Sequence, residues 1–362
     1  MILRDKRIDS LKGLLIVMMV LNHFGGPLKK ITHQTFGYVS VAEGFIFLSG
    51  YVFALVYIRY IKTPKVLISH SINRAWIVYK YHFIIIITLF LLYLTIEVYH
   101  EAWQKLLFPN NESPYLSTFY EALLLHQPTY MDILPMYIIF LLFAPFILIQ
   151  LHKGNFKLIF FITISLWLVG QSFHFIGEIV KLLQLDAHPG YFNIFSWQLM
   201  WTIGMYMGYM KSSNIEIKLL KNRIFFYTVL ILAIIFFLYR YHVLEFGRDF
   251  ILSLLGKSNL EVLRLLNFLL ISYLFWSIMR YIPTDRGIPW LQFIGRFSLQ
   301  VFSFHVLLIY LLLPLWLSID KSNHILTLTF LLLAVTSLTI PAYIADRIKK
   351  SEDARRKPVA LK

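Results

Sequence analysis

The 362-residue chain contains no cysteine. That single absence excludes thiol nucleophiles, zinc-thiolate centres and disulfides, so any covalent chemistry must use another residue type. Acidic side chains are also scarce, 19 Asp and Glu against 34 Lys and Arg, and only 15% of residues are charged. A soluble globular chain carries about 25% charged residues, so a water-soluble fold is a poor fit. Several familiar signatures are missing. No G-x-S-x-G surrounds Ser49, no Walker-type or G-x-G-x-x-G loop occurs, and His100-Glu101 lacks the second histidine of H-E-x-x-H. No metal centre is expected. Neither an internal repeat nor a low-complexity segment is visible, which gives an inverted-repeat transporter no support.

What the chain has instead is apolar length. Hydrophobic residues make up 58%, the mean hydropathy is +0.67, and runs near 20 residues recur throughout. This pattern predicts an all-α integral membrane protein, a single bundle of about ten transmembrane helices. The spans fall near 11–24, 41–60, 76–96, 133–151, 158–176, 192–210, 224–241, 261–279, 297–317 and 325–344. With no soluble interval longer than about 25 residues, the expected organisation is one polytopic domain, 1–346, and a basic tail, 347–362.

The net charge of +15 does not suggest a nucleic-acid partner, because the basic residues fall between apolar spans and in the tail. It reads as a topology signal. Placing both termini in the cytoplasm puts roughly 25 of the 34 Lys and Arg residues on the inner side. The N-terminus resembles a signal peptide, but Gly25-Gly26-Pro27 offers no A-x-A-like cleavage site, so a retained span is expected.

Within this frame the first stretch, RDKRIDSLKGLLIVMMVLNHFGGP, carries chemistry at both ends. As one helix it places Lys12 and His23 about 20° apart around the axis and roughly 16 Å apart along it, with Asp9 within about 40° of His23's face. His23 reads either as a polar helix end or as a functional base. In the second span, Glu43, Phe47, Gly50 and Ala54 share a face, so an acid sits beside small residues that admit another helix. Glu43 is either an interfacial carboxylate or the group that orients His23. His82 and His305 lie inside apolar spans and are expected to bond a neighbouring helix; His33, His174 and His188 read as loop residues. Gly204 and Gly208 predict close helix packing. Asp132, Tyr191 and Trp197 lie at span ends, where they fit either a membrane-interface belt or a stacking and hydrogen-bonding site for a sugar. Buried polar residues also mark transport routes, so a sugar or lipid transporter or flippase is the alternative to an enzyme.

The runs RIDSLKG, GYVSVAEGFIFLSGYVFALVY, NRAWIVYKYH, MDILPMYIIFLLFAP, YFNIFSWQLMWTIGMYMG and IGRFSLQVFSFH occur in an order and spacing that resemble the OpgC-type proteins. Those are membrane succinyltransferases of osmoregulated periplasmic glucans, within the superfamily of multi-span membrane acyltransferases. The resemblance implies a multi-pass protein of the bacterial inner membrane. It also implies transfer of an acyl group, succinyl or acetyl, from cytoplasmic acyl-CoA as co-substrate to a hydroxyl of an extracytoplasmic glucan. Its first-span histidine maps onto His23 and its preceding basic position onto Lys12, where the family usually has arginine. Arginine grips a phosphate bidentately and lysine offers a point charge. The expected sites are therefore His23 and Glu43 for catalysis, Lys12, Arg74 and Asp9 for the CoA moiety, and Asp132, Trp197 and Tyr191 for the acceptor.

Overall fold

The computed structural model describes residues 4–108, 113–172 and 190–356, with the side chain of Arg356 left out. His174, His188, Glu112, the end of the fifth expected span and residues 357–362 of the tail lie outside the described residues. Among the described residues the structure is helical, without strands. In chain order the helices are α1 (Lys6–Phe24), α2 (Lys29–Thr32), α3 (Val41–Tyr57), α4 (Pro64–Thr95), α5 (Val98–Leu107), α6 (Pro114–Ala122), α7 (Ile133–His152) and α8 (Phe156–Gln171). They continue as α9 (Ile194–Ser212), α10 (Arg223–Arg240), α11 (Arg248–Ser253), α12 (Val262–Met279), α13 (Pro289–Arg296), α14 (Ser298–Ser318), α15 (His324–Ser337) and α16 (Thr339–Arg356).

A helix occupies each of the ten expected span positions, and among the described residues seven segments are long and apolar enough to cross a membrane by length and composition. α8 is apolar but shorter, with 16 residues, and α1 and α9 fall outside the seven. Two boundaries differ from expectation. The third span begins at Pro64 rather than near Trp76, because a proline at the first helical position needs no amide partner and nothing after it breaks the helix. The resulting 32-residue helix is about 48 Å long, more than the hydrocarbon core requires, so Lys65 and Arg74 stand on a helix and not in a loop. The tail is helical as far as Arg356, continuing the last span through α16.

The described chain divides into two compact units: 1–33 with 279–362, and 34–278. In the first, α1 lies along α13 with glycines at the crossing. A Cβ on Gly13 would overlap the Leu291 carbonyl oxygen, and one on Gly295 would overlap that of Asp9. In the second, α3 and α9 meet in the same way. The Cβ positions of Gly50, Gly204 and Gly208 fall on the carbonyl oxygens of Trp201, Phe47 and Tyr51. Where lipid tails are as apolar as leucine, close backbone approach is what drives helices together, and only glycine permits it here. The packing role expected of Gly204 and Gly208 is what the structure shows.

Candidate functional site

In the first unit, the functional stretch is α1 itself. Asp5 caps its start, accepting a 3.0 Å hydrogen bond from the Arg7 amide. One turn later Asp9 is buried and bridges two cations: its Oδ1 is 3.0 Å from Lys12 Nζ and its Oδ2 is 2.5 Å from Arg4 Nε. Lys12 is largely covered and Arg4 half exposed. One carboxylate therefore holds two cations at the positive end of a helix dipole, leaving a net positive end suited to phosphate oxygens.

At the other end α1 stops at Gly25 and Gly26, whose φ angles of +82° and +77° are strained for any residue with a Cβ. Phe24 fixes this end, meeting the Trp316 and Phe330 rings at 5.7 and 5.2 Å. In the last turn the His23 imidazole stacks on His305 of α14, with centroids 5.6 Å apart and planes 21° apart. His305 is fully buried, and its Nδ1 lies against the Phe302 carbonyl. A carbonyl only accepts, so Nδ1 carries the proton and Nε2 keeps a lone pair. The expectation that His305 bonds a neighbouring helix is corrected here. Its hydrogen bond stays within its own helix, and what it offers α1 is its ring face. His82 does bond across, its Nε2 lying 3.3 Å from the Glu121 carbonyl of α6.

In the second unit, the starts of α3, α7, α9 and α12 carry a polar cluster. Glu43 is fully buried at the third position of α3. Its Oε2 accepts from the Ser40 amide (3.0 Å), one half of a capping box whose other half is the Glu43 amide on the Ser40 side chain, and also from the Ser40 hydroxyl. Its Oε1 accepts a 2.6 Å charge-assisted bond from Nε of Arg264, which is itself only 2% exposed. Arg264 Nη1 donates to the Leu255 carbonyl at 3.1 Å. Asp132 precedes α7, and its Oδ1 accepts from the Tyr191 amide at 2.7 Å. The carboxylate lies so close to Gly190 that any Cβ there would collide with it. Burial pushes the Asp132 carboxyl up to about 6, against the opposing pull of the Tyr191 amide and, more weakly, of Lys257.

Trp197 is fully buried, and its indole N–H donates to the carbonyls of Lys257 (3.2 Å) and Ser258 (3.0 Å). It holds the loop before α12 rather than presenting a face to a ligand. Trp167 and Gln171 of α8 pin the same loop at the Leu260 and Asn259 carbonyls, both at 2.9 Å. Tyr191 is exposed, and Lys257 Nζ lies 5.9 Å above its ring and 5.4 Å above that of Phe192.

The structure thus gathers Asp132, Tyr191 and Trp197 around one loop, and adds two residues that the sequence reading missed. Arg264 had a signal, an arginine inside an apolar span. Lys257, in an ordinary-looking loop, had none. Arg74 stands half-buried on α4, and beside it an open groove of about 480 Å³ is lined by Lys65, Ile68, Ser69, Ile72, Asn73 and Trp76.

The Asp132 shift has a measurable consequence. Its folded value of about 6 exceeds the ordinary 3.8, so the native state binds more protons than the unfolded chain between these values. Stability is unaffected below about pH 4, falls as pH rises to about 6, and carries the full penalty, at most about 3 kcal/mol, above that. Asp132→Asn keeps an oxygen for the Tyr191 amide and cannot ionise. Its thermal midpoint is expected to exceed the wild-type value at pH 7 and to match it near pH 4, as read by thermal unfolding in detergent.

No curated protein and no solved structure matches this chain. A protein-family model does, over nearly its whole length: the model described as OpgC protein covers residues 4–350, including α1 with its Lys12 and His23, the α3 start with Glu43, and the Asp132 and Lys257 loops. The chain belongs to the OpgC protein family.

Proposed function

We propose that this protein is a membrane O-acyltransferase that moves an acyl group, succinyl by preference, from cytoplasmic acyl-CoA to a hydroxyl of an extracytoplasmic glucan. The observation that carries this reading is α1: one continuous helix in an OpgC-family chain, with a cationic end at Lys12 and a stacked histidine at His23. The helix rise between them, roughly 16 Å, is comparable to the reach of a pantetheine arm. A thioester anchored by its phosphates at the Lys12 end therefore extends to His23 without passage of the nucleotide.

In this reading both termini are cytoplasmic and the helices at all ten expected span positions cross the bacterial inner membrane. Lys12 and Arg4 take the CoA phosphates, with Asp9 keeping the two cations in place. His23 acts as general base. Its imidazole accepts the proton of the acceptor hydroxyl as that oxygen attacks the thioester carbon. The new C–O bond forms, the C–S bond breaks, and the proton passes from the imidazolium to the departing CoA thiolate. A transient acyl-imidazole is the nucleophilic variant of the same step. The His305 ring restrains the His23 plane by stacking. Asp132 and Tyr191 bind the acceptor, the carboxyl by hydrogen bonding and the ring by stacking.

Purified protein is incubated with labelled succinyl-CoA, with and without a glucan acceptor. Acceptor-dependent release of free CoA, with label on the glucan, is the expected result. Sugar flux into vesicles with no CoA released would replace the enzyme by a transporter.

A further inference from the structure

The cluster in the second unit holds two carboxylates, Glu43 and Asp132, and two cations, Arg264 and Lys257, yet only Glu43 and Arg264 meet at short range, and Glu261 of the same loop is turned to the Gly256 amide. Glu43 is matched by Arg264 at 2.6 Å and saturated by Ser40. Arg264 Nη2 is buried yet has no hydrogen-bond partner among the described residues. Lys257, half-buried, has no carboxylate within ion-pair distance among them; its charge is felt by Glu43, Arg264 and Asp132 only across longer gaps. Burial pulls the Lys257 ammonium below its ordinary value, as for a cation held partly out of water without a close counter-charge. A loose surface lysine would relieve this by swinging into solvent. Here the backbone is held by Trp197, Asn193 and Gln171, at Lys257, Ser258 and Asn259, and the ammonium lies over the Tyr191 and Phe192 rings. A positioned cation, a spare guanidinium N–H and an aromatic platform together fit an anion attached to a ring-shaped or extended neutral body.

We infer that Lys257, with Arg264 behind it, seats an anionic group, a carboxylate or phosphate ester, on the ligand bound at this end of the unit. The proposed acyltransferase supplies the choice of ligand and nothing else, so the inference deepens that reading. The anion has two chemical sources. It is either the terminal carboxylate of a dicarboxylic acyl group or an acidic substituent already on the glucan. Lys257 would in either case select charged over neutral ligands.

The test is a binding measurement that needs no acyl transfer, so its failure is separate from failure of the enzyme reading. Full-length protein in detergent is titrated calorimetrically with succinate, with a neutral glucan oligosaccharide and with its carboxymethylated form. Wild type is expected to prefer the carboxymethylated glucan at least about tenfold or to bind succinate, and to lose the preference at high salt. Lys257→Met should collapse the preference toward unity while Lys257→Arg retains it. Succinate binding that vanishes in Lys257→Met assigns the anion to the acyl group; a preference confined to the glucan pair assigns it to the acceptor. Equal wild-type affinity for both glucans with no succinate binding overturns the inference, as does an undiminished preference in folded Lys257→Met. The wild-type comparison stands even where the variant fails to fold.

Discussion

His23→Ala is expected to lower acyl transfer by at least about 10²- to 10⁴-fold, the range a positioned general base contributes, with little loss of stability. The residue is half-buried in the last turn of α1, and removing its ring takes away the stack on His305 without opening the apolar contacts of Phe24, Ile16 and Val20 that seat the helix. The measurement pairs release of CoA with thermal unfolding. If the variant folds and turns over at near-normal rate, His23 has no part in the chemistry. His305→Ala provides the contrast: a residue acting through His23 should displace the pH dependence of kcat/KM, whereas one that merely packs should alter stability alone.

Glu43→Ala is expected to have the largest effect on stability. Arg264 is 2% exposed and Glu43 is not exposed at all, so removing the carboxylate strands a guanidinium in a low-dielectric site and leaves the Ser40 amide without its acceptor. Breaking a buried pair from one side costs about 3–5 kcal/mol, and loss of the cap adds about 1 kcal/mol. Removing both charges together, as in Glu43→Gln with Arg264→Met, should recover much of the loss, because the penalty lies in the unmatched charge more than in the missing contact. Thermal midpoints of Glu43→Ala, Glu43→Gln, Arg264→Met and the double variant measure this.

Much of the fold was legible because membrane insertion imposes a strong constraint. Apolar runs of the right length near Val41, Ile133, Arg223 and Ser298 could become only helices, since every backbone amide in lipid needs an internal partner. Small-residue spacing marked Gly50, Gly204 and Gly208 as positions of close helix approach for a similar reason, without saying which helices would meet there. Boundaries were less legible. Pro64 starts α4 within a stretch that charge made look like a loop, and charge along one helix face does not stop a helix.

The candidate site divides along the same line. Lys12, Asp9 and His23 lie within one helix, where spacing alone fixes angle and rise, and the Asp9–Lys12 pair stands where that spacing puts it. The capping-box signature in Ser40 to Glu43 was also present in the sequence, and it describes one of the bonds Glu43 makes. What the sequence by itself determined were the helical class, the apolar segments and the polar stripe of α1, because each depends on residues a few positions apart. Only the tertiary structure decided that Glu43 meets Arg264 across 221 positions, that Trp197 is enclosed against the 257–258 loop, and that His305 brings its ring to His23. Those pairings depend on which helices lie side by side, and apolar packing among similar helices is too unspecific in sequence to reveal its partners.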